Sequence, residues 1–394
     1  MRPIRQAAGF ICFSLGLALL ALILMEGAAQ AYLVLRARAR SAAGLAEIER
    51  RYESEAGGDL RWVRDYLREL NDGREGEWRP YIYWRRKPYH GKYLNIDAAG
   101  IRRTWNATSS PAPGQLKVFM FGGSMLWGVG ARDDFTIPSI VSKTLATQLQ
   151  SRVWMVNFAE LGYVSTQEVI ALLRELQKVN VPDIVVFFDG VNDTFSAFQN
   201  GVAGIPQNER DRVAAFDALK RFSLRPMIER LALYQLTAAL VTAHGGSAPA
   251  RFGGDDGRST DALGRATVEV YLQNVNIVEA LAQRFGFRAI FFWQPTVFTK
   301  KHLSRQEREW SGRSGRKFWT SGSPGPFFDV VYEAFWQRTR MGRIDNVYDL
   351  SGVFDEVRDT IFIDEWHVTE TGNAKIAEVI ARTLVREAGR KARN

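Results

Sequence analysis

Residues 117–128, KVFMFGGSMLWG, put a short apolar run, Val118–Phe121, directly before two glycines and a serine. A short run without polar alternation, closed by turn residues, is the pattern of a strand buried on both faces. The pattern recurs at Trp154–Phe158 (WMVNF), Ile184–Phe188 (IVVFF), Phe287–Trp293 (FRAIFFW) and Asn346–Leu350 (NVYDL). Helical periodicity separates the runs. Ile137, Ile140, Val141, Leu145 and Leu149 line one face, and Pro138 suits a first helical turn. Ser165 and Glu168 have capping-box spacing ahead of Val169, Leu172, Leu173 and Leu176. A last helix is expected from near Thr369, with Ile376, Ala377, Ile380 and Leu384 inward. This alternation predicts an α/β fold, a three-layer sandwich around a mostly parallel five-stranded sheet. Right-handed crossovers bring the C-terminal strand ends to one edge, where ligands bind.

The residues past those ends carry the chemistry. Gly122-Gly123 lets the chain turn sharply, so that the Ser124 hydroxyl and its own N–H can face one bound carbonyl; an isolated GGS is equally a plain turn. Neither G-x-G-x-x-G nor a P-loop lysine is present, and Leu126 breaks the G-x-S-x-G elbow. Gly162 follows the second run, where an ordinary turn also accounts for it. In Gly190-Val191-Asn192-Asp193 the Asn192 amide either donates to a developing oxyanion or closes an Asx turn. Asp364 stands three residues before His367, a spacing at which a carboxylate can fix an imidazole tautomer and leave the other nitrogen to take a serine proton.

Ser, Gly, Asn and then Asp-x-x-His, each past a strand, resemble the SGNH (GDSL-type) hydrolase family. Its blocks appear as GGSMLWG, NFAELGY, DGVND and DEWH, with a lead-in like N-x-D-x-x-G-x-R at Asn95, Asp97, Gly100 and Arg102. The resemblance runs over roughly residues 93–388. It implies a flavodoxin-like sheet, Ser124 as nucleophile, His367 as general base and Asp364 as its orienting group. It further implies an oxyanion hole made of the Ser124 and Gly162 N–H groups and the Asn192 side chain. The family's usual Asp before the serine is Gly123 here, which bears on local hydrogen bonding at the turn. The implied reaction is acyl transfer through a serine ester, ending on water or on a sugar hydroxyl. Membrane-tethered members with such a lead-in resemble enzymes that add or remove acetyl groups on cell-surface glycans. A catalytically idle, membrane-anchored glycan-binding subunit is the alternative; intact Ser124, Asn192, Asp364 and His367 speak against it.

Composition narrows the classes further. Of the 394 residues 46% are hydrophobic, enough for a large core. The net charge of +9 is concentrated at the start, where the first 40 residues hold five arginines against one glutamate. The other 354 residues share only +5 with acids and bases mixed, so nucleic acid is not an expected partner. The single cysteine, Cys12, precludes an internal disulfide, and the four histidines lack metal-ligand spacing; no metal or other cofactor is expected.

Residues 7–25 run 19 positions without a charge, about the length that crosses a bilayer. They read as an N-terminal transmembrane helix, a signal anchor, and the resemblance to glycan-modifying enzymes implies a catalytic domain on the extracytoplasmic, periplasmic side. Ala29-Gln30-Ala31 offers the competing reading of a cleaved signal peptide. Basic residues flank both ends, so charge alone leaves the orientation open. The expected organisation is an anchor at 1–40, a stalk and aromatic lead-in at 41–114, and a catalytic domain at 115–394. Trp78, Tyr81, Tyr83, Trp84 and Tyr89 read as packing on that domain or as a sugar- or headgroup-facing surface. Residues 196–260 read as a partly helical insertion with a glycine-rich tail, a lid or mobile loop.

Overall fold

A computed structural model describes residues 2–52, 61–105, 108, 110–149, 152–219, 228, 230–243, 259–309, 311, 324–342 and 344–391. The glycine-rich tail at 244–257 lies outside these, as do residues 53–60 of the stalk. The chain forms two compact units, Met1–Glu47 with Asp211–Ala250, and Ile48–Arg210 with Arg251–Asn394.

In the first unit, helix α1 (Arg2–Arg51) carries a stretch, Phe13–Arg36, long and apolar enough to cross a membrane. Nearly all of that stretch is exposed. Glu26 accepts from the backbone N–H groups of Ala232 (2.6 Å) and Leu233 (3.0 Å). These are the first residues of a short apolar helix, Ala232–Ala243. A carboxylate there satisfies N–H groups that have no partner within their own helix.

The second unit takes in the last residues of α1, then helix α2 (Arg61–Asp72) and two antiparallel pairs, β1 (Gly76–Arg79) with β2 (Tyr83–Arg86) and β3 (Tyr89–His90) with β4 (Asn95–Ile96). The five expected strands follow as β5 (Leu116–Gly122), β6 (Val153–Asn157), β7 (Ile184–Asp189), β8 (Arg288–Trp293) and β9 (Val347–Asp349). They pair in parallel in the order β6-β5-β7-β8-β9.

Strand alternation splits the core in two. Phe121, Phe187 and Phe291 point to one face, where their rings stack across adjacent strands with centroids 5.1 and 5.4 Å apart. Helices α3 (Ser165–Gln177), α4 (Thr260–Phe285) and α5 (Gly325–Met341) cover that face through Leu172, Tyr271 and Phe335. Met120, Val186 and Phe292 point the other way, against α6 (Ile137–Gln148) and α7 (Glu370–Lys391) through Val141, Ile380 and Leu384. The Ser165–Glu168 spacing is not a cap. Val164 is the N-cap residue, Ser165 opens the helix, and Glu168 is buried.

The lead-in is built into this unit. Asp97 Oδ1 accepts from the N–H groups of Ala99 and Ile101, at 2.8 and 2.9 Å, closing a tight turn. Gly100 completes it at φ 78°, where a Cβ would lie 2.7 Å from the Arg86 carbonyl. The turn delivers Arg102, whose backbone bridges to Asn157 at the end of β6. The Arg102 side chain is fully buried. Its Nε donates to Asp133 (3.0 Å), Nη1 to the Gly128 carbonyl (2.7 Å) and Nη2 to the Ala131 carbonyl (2.6 Å). Its carbon centre lies 4.5 Å from the centroid of the Trp127 ring. Losing this guanidinium strands a buried Asp133. Arg102→Ala is expected to lower the unfolding free energy in urea by about 3–5 kcal/mol. Arg102→Lys should recover only part, having no planar fork. A loss below about 1 kcal/mol in Arg102→Ala, within the range of an exposed pair, would refute this role.

Candidate active site

Ser124 opens a four-residue helical turn, Ser124–Trp127, directly after β5. The turn ends at Gly128 with φ 106°, a left-handed position that favours glycine. A Cβ there would also meet Thr136 Cγ2 at 2.4 Å and Arg102 Nη1 at 2.8 Å. The carbonyls at the end of the turn are met from two sides. Arg102 takes that of Gly128, and the Asn157 amide approaches those of Leu126 (3.4 Å) and Trp127 (3.3 Å). The following loop is pinned by Tyr52, whose hydroxyl donates to the Gly130 carbonyl at 2.8 Å, and by Tyr66, which accepts from Gly130 N at 2.9 Å.

His367 precedes α7, and its loop is tied to that same serine loop. Arg132 pairs with Glu370 at the start of α7 through two side-chain bonds of 2.8 and 2.6 Å. Asp364 Oδ1 accepts from the N–H groups of Trp366 (2.9 Å) and His367 (2.7 Å), while Oδ2 lies 2.6 Å from His367 Nδ1. His367 Nε2 lies 2.6 Å from Ser124 Oγ. Burial pulls the Asp364 carboxyl upward, but the His367 interaction and the two backbone donors outweigh it and hold it below its usual value. An ionised carboxylate only accepts, so Nδ1 carries a proton toward Asp364 and Nε2 faces the Ser124 hydroxyl. Trp366 stacks on Phe328 (5.5 Å) and meets Phe195 at 5.7 Å, an aromatic wall beside the imidazole.

Asn192 stands in the first turn of helix α8 (Val191–Asn200). Gly190 precedes it at φ 118°, where a Cβ would strike the Trp293 ring at 2.9 Å. Its side chain reaches the serine turn. A Cβ on Gly123 would fall 2.1 Å from Asn192 Nδ2, so the space an aspartate would need before the serine is taken by the asparagine amide. Gly162, at φ 77°, belongs to a loop held by the lead-in: Trp84 Nε1 donates to the Leu161 carbonyl at 2.8 Å, and the Tyr163 hydroxyl donates to the Trp84 carbonyl. Ser124, Asp364 and His367 thus form one hydrogen-bonded line, and the Asn192 amide borders the same turn.

Sequence reasoning missed two participants. Asn157 stands in the NFAELGY block but signals nothing by itself. Gln207 falls in the expected insertion and has no local signature; its Nε2 donates to Asn192 Oδ1 at 3.2 Å.

Three acids lie behind the Asn192 turn: Glu168, Asp189 and Asp193, all buried. Asp193 accepts from Ser165 Oγ at 2.6 Å, and Ser165 Oγ accepts in turn from Asn274 at 2.9 Å. Burial raises all three carboxyls, and for Glu168 and Asp189 neighbouring carboxylates push in the same direction. Among the described residues no group of His, Cys, Asp and Glu has a metal-binding arrangement. The folded chain therefore keeps protons that the unfolded chain releases above the ordinary carboxylate range, about pH 4. Stability is expected to fall as pH rises from there toward the raised values, and Glu168→Gln should flatten the decline. Melting temperatures from pH 5 to 9 check this; parallel curves for both proteins would refute it.

Residues 118–380, about two thirds of the chain, match the family described as GDSL-like Lipase/Acylhydrolase. No curated protein sequence matches. Similar solved structures include the acetyl xylan esterase AlAXEase (13% identity, TM-score 0.37), with 68% of this chain and 98% of that one covered. Another is an acetylxylan esterase from Geobacillus stearothermophilus (12% identity, TM-score 0.34, 68% and 94% covered). A third is a lipase/acylhydrolase from Enterococcus faecalis (16% identity, TM-score 0.35, 68% and 94% covered).

Proposed function

The chain belongs to the GDSL-like lipase/acylhydrolase family, and from that premise we propose that it is a serine esterase that removes O-acetyl groups from a cell-surface glycan. The reading rests on the line Asp364–His367–Ser124, with 2.6 Å at both side-chain contacts. Ser124 Oγ attacks the ester carbonyl while His367 Nε2 takes its proton. The negative charge on the carbonyl oxygen is held by the N–H groups of Ser124 and Gly162 and by the Asn192 amide. His367 then protonates the departing alcohol, leaving an acyl-serine. Water, deprotonated by His367, releases the acid; a sugar hydroxyl in its place would make the reaction a transfer.

The aromatic lead-in supports a glycan substrate. Trp84 packs on Tyr163, with centroids 5.7 Å apart, beside Gly162. Trp78 and Tyr83 stack at 5.2 Å, and Trp78 and Tyr81 are 65% and 77% exposed. Exposed rings such as Trp78 and Tyr81 suit the apolar face of a sugar. Turnover of p-nitrophenyl acetate and of an acetylated oligosaccharide tests the whole reading. Ser124→Ala and His367→Ala should each lose about 10⁴-fold or more on both, with the double variant hardly worse. Trp78→Ala should raise KM for the oligosaccharide alone. Near-wild-type rates in a folded Ser124→Ala variant would sink the esterase assignment.

The long apolar helix supports a retained anchor, and a cell-surface glycan substrate calls for the catalytic unit outside the cytoplasm. The protein should then stay in the membrane pellet after an alkaline carbonate wash, and protease should reach its catalytic unit in spheroplasts. A mature N-terminus at Tyr32 would show cleavage, and digestion only after lysis would put the unit in the cytoplasm.

A further inference from the structure

Helix α8 carries Asn192 in its first turn, and near its other end presents a second polar set. Ser196, Gln199 and Asn200 lie at spacings that share one helix face, and all three are buried. Buried polar side chains are retained with partners, and each of these three finds one in the loop that follows the helix. Ser196 Oγ donates to the Ile205 carbonyl at 2.5 Å, and Asn200 Nδ2 to the Pro206 carbonyl at 3.1 Å. Gln199 Nε2 donates to Asn208 Oδ1 at 2.6 Å, and Gln199 Oε1 accepts from Asn208 N at 2.7 Å. Residues 205, 206 and 208 are thus fastened to the helix, and Asn208 is held at φ 58°. The residue between them is Gln207. Its side chain returns along the helix to Asn192 Oδ1, and its carboxamide passes within 3.4 Å of where a Cβ on Gly162 would be.

An asparagine amide has two ends of opposite polarity and similar size. With its oxygen toward the oxyanion it repels; with its nitrogen there it stabilises. With its Nε2 turned to Asn192, Gln207 can only donate, and that pairing favours the rotamer with Oδ1 toward the loop and Nδ2 toward Gly123. We propose that Gln207 is a positioning residue of the oxyanion hole, held by the buried polar face of α8 so that the Asn192 amide presents its N–H groups to the substrate oxygen. The assignment rests on the esterase reading above for its kinetic consequence, though not for its structural one.

The test is a double-mutant cycle on p-nitrophenyl acetate turnover with Asn192→Ala, Gln207→Ala and the pair. Gln207→Ala should lower kcat about tenfold, less than the 10²–10³ of a lost donor, with KM and melting temperature nearly unchanged. In the Asn192→Ala background it should do nothing more, because Gln207 acts only through that amide. Gln207→Glu, which sets a carboxylate against Oδ1, should lose more at pH 8, and its rate relative to wild type should recover as pH falls toward the carboxylate range. Crystal structures of the wild type and Gln207→Ala supply a readout independent of turnover: the Asn192 amide should turn or lose its single orientation. An unmoved Asn192, a full additional loss in the Asn192→Ala background, or an unchanged kcat would each overturn the proposal. An inactive wild type with a displaced Asn192 in the variant would instead remove the esterase reading and leave the positioning role standing.

Discussion

A fully buried guanidinium must have its charge paired and its fork of N–H groups accepted, and Arg102 meets that demand at one place only, beneath the serine turn. Its partners are Asp133 and the carbonyls that end or follow the Ser124–Trp127 turn, so the ends of that short turn are satisfied by a residue from outside it. The consequences spread outward. Gly128 admits no side chain because Arg102 and Thr136 occupy the space. Asn95 must reach the other Asp133 oxygen, which it does at 3.0 Å. The lead-in, which looks like an appendage in the chain, becomes the underside of the serine turn.

Opposite it, the turn after β7 concentrates polar groups where the sheet is driest. Asp189, Asn192 and Asp193 are buried together at the end of a strand whose six residues are all buried. Carboxyls in such surroundings hold their protons more strongly, and here they do so beside a turn that needs rigidity. Ser165 and Asn274 tie Asp193 to two helices, and Gln294 accepts from Val191 N at 3.2 Å. The loop presenting Asn192 is therefore fixed by a hydrogen-bond network of its own.

Five strands were legible because a strand buried on both faces needs an unbroken apolar run, and such runs are short, dense and bounded by glycine or polar residues. The Ser165–Glu168 spacing misled for the opposite reason. It has the local form of a cap, but the partner of Ser165 is Asp193, 28 positions away, and a polar side chain binds whichever group the fold brings nearest. Gln207 was invisible likewise: nothing in IPQN distinguishes a surface loop from one fastened to a helix.

The sequence by itself determined the sheet, the order of the site residues along it, and the Asp364–His367 pairing, since a three-residue separation already places a carboxylate within reach of its imidazole. Only the tertiary structure decided that Ser124 meets His367 across 243 positions, that Arg102 supports the turn between them, and that Gly123 is small because Asn192 fills its place. Local chemistry is written in neighbouring residues; contacts of long separation depend on which faces of the sheet and helices are packed together, and no short stretch of the chain contains that information.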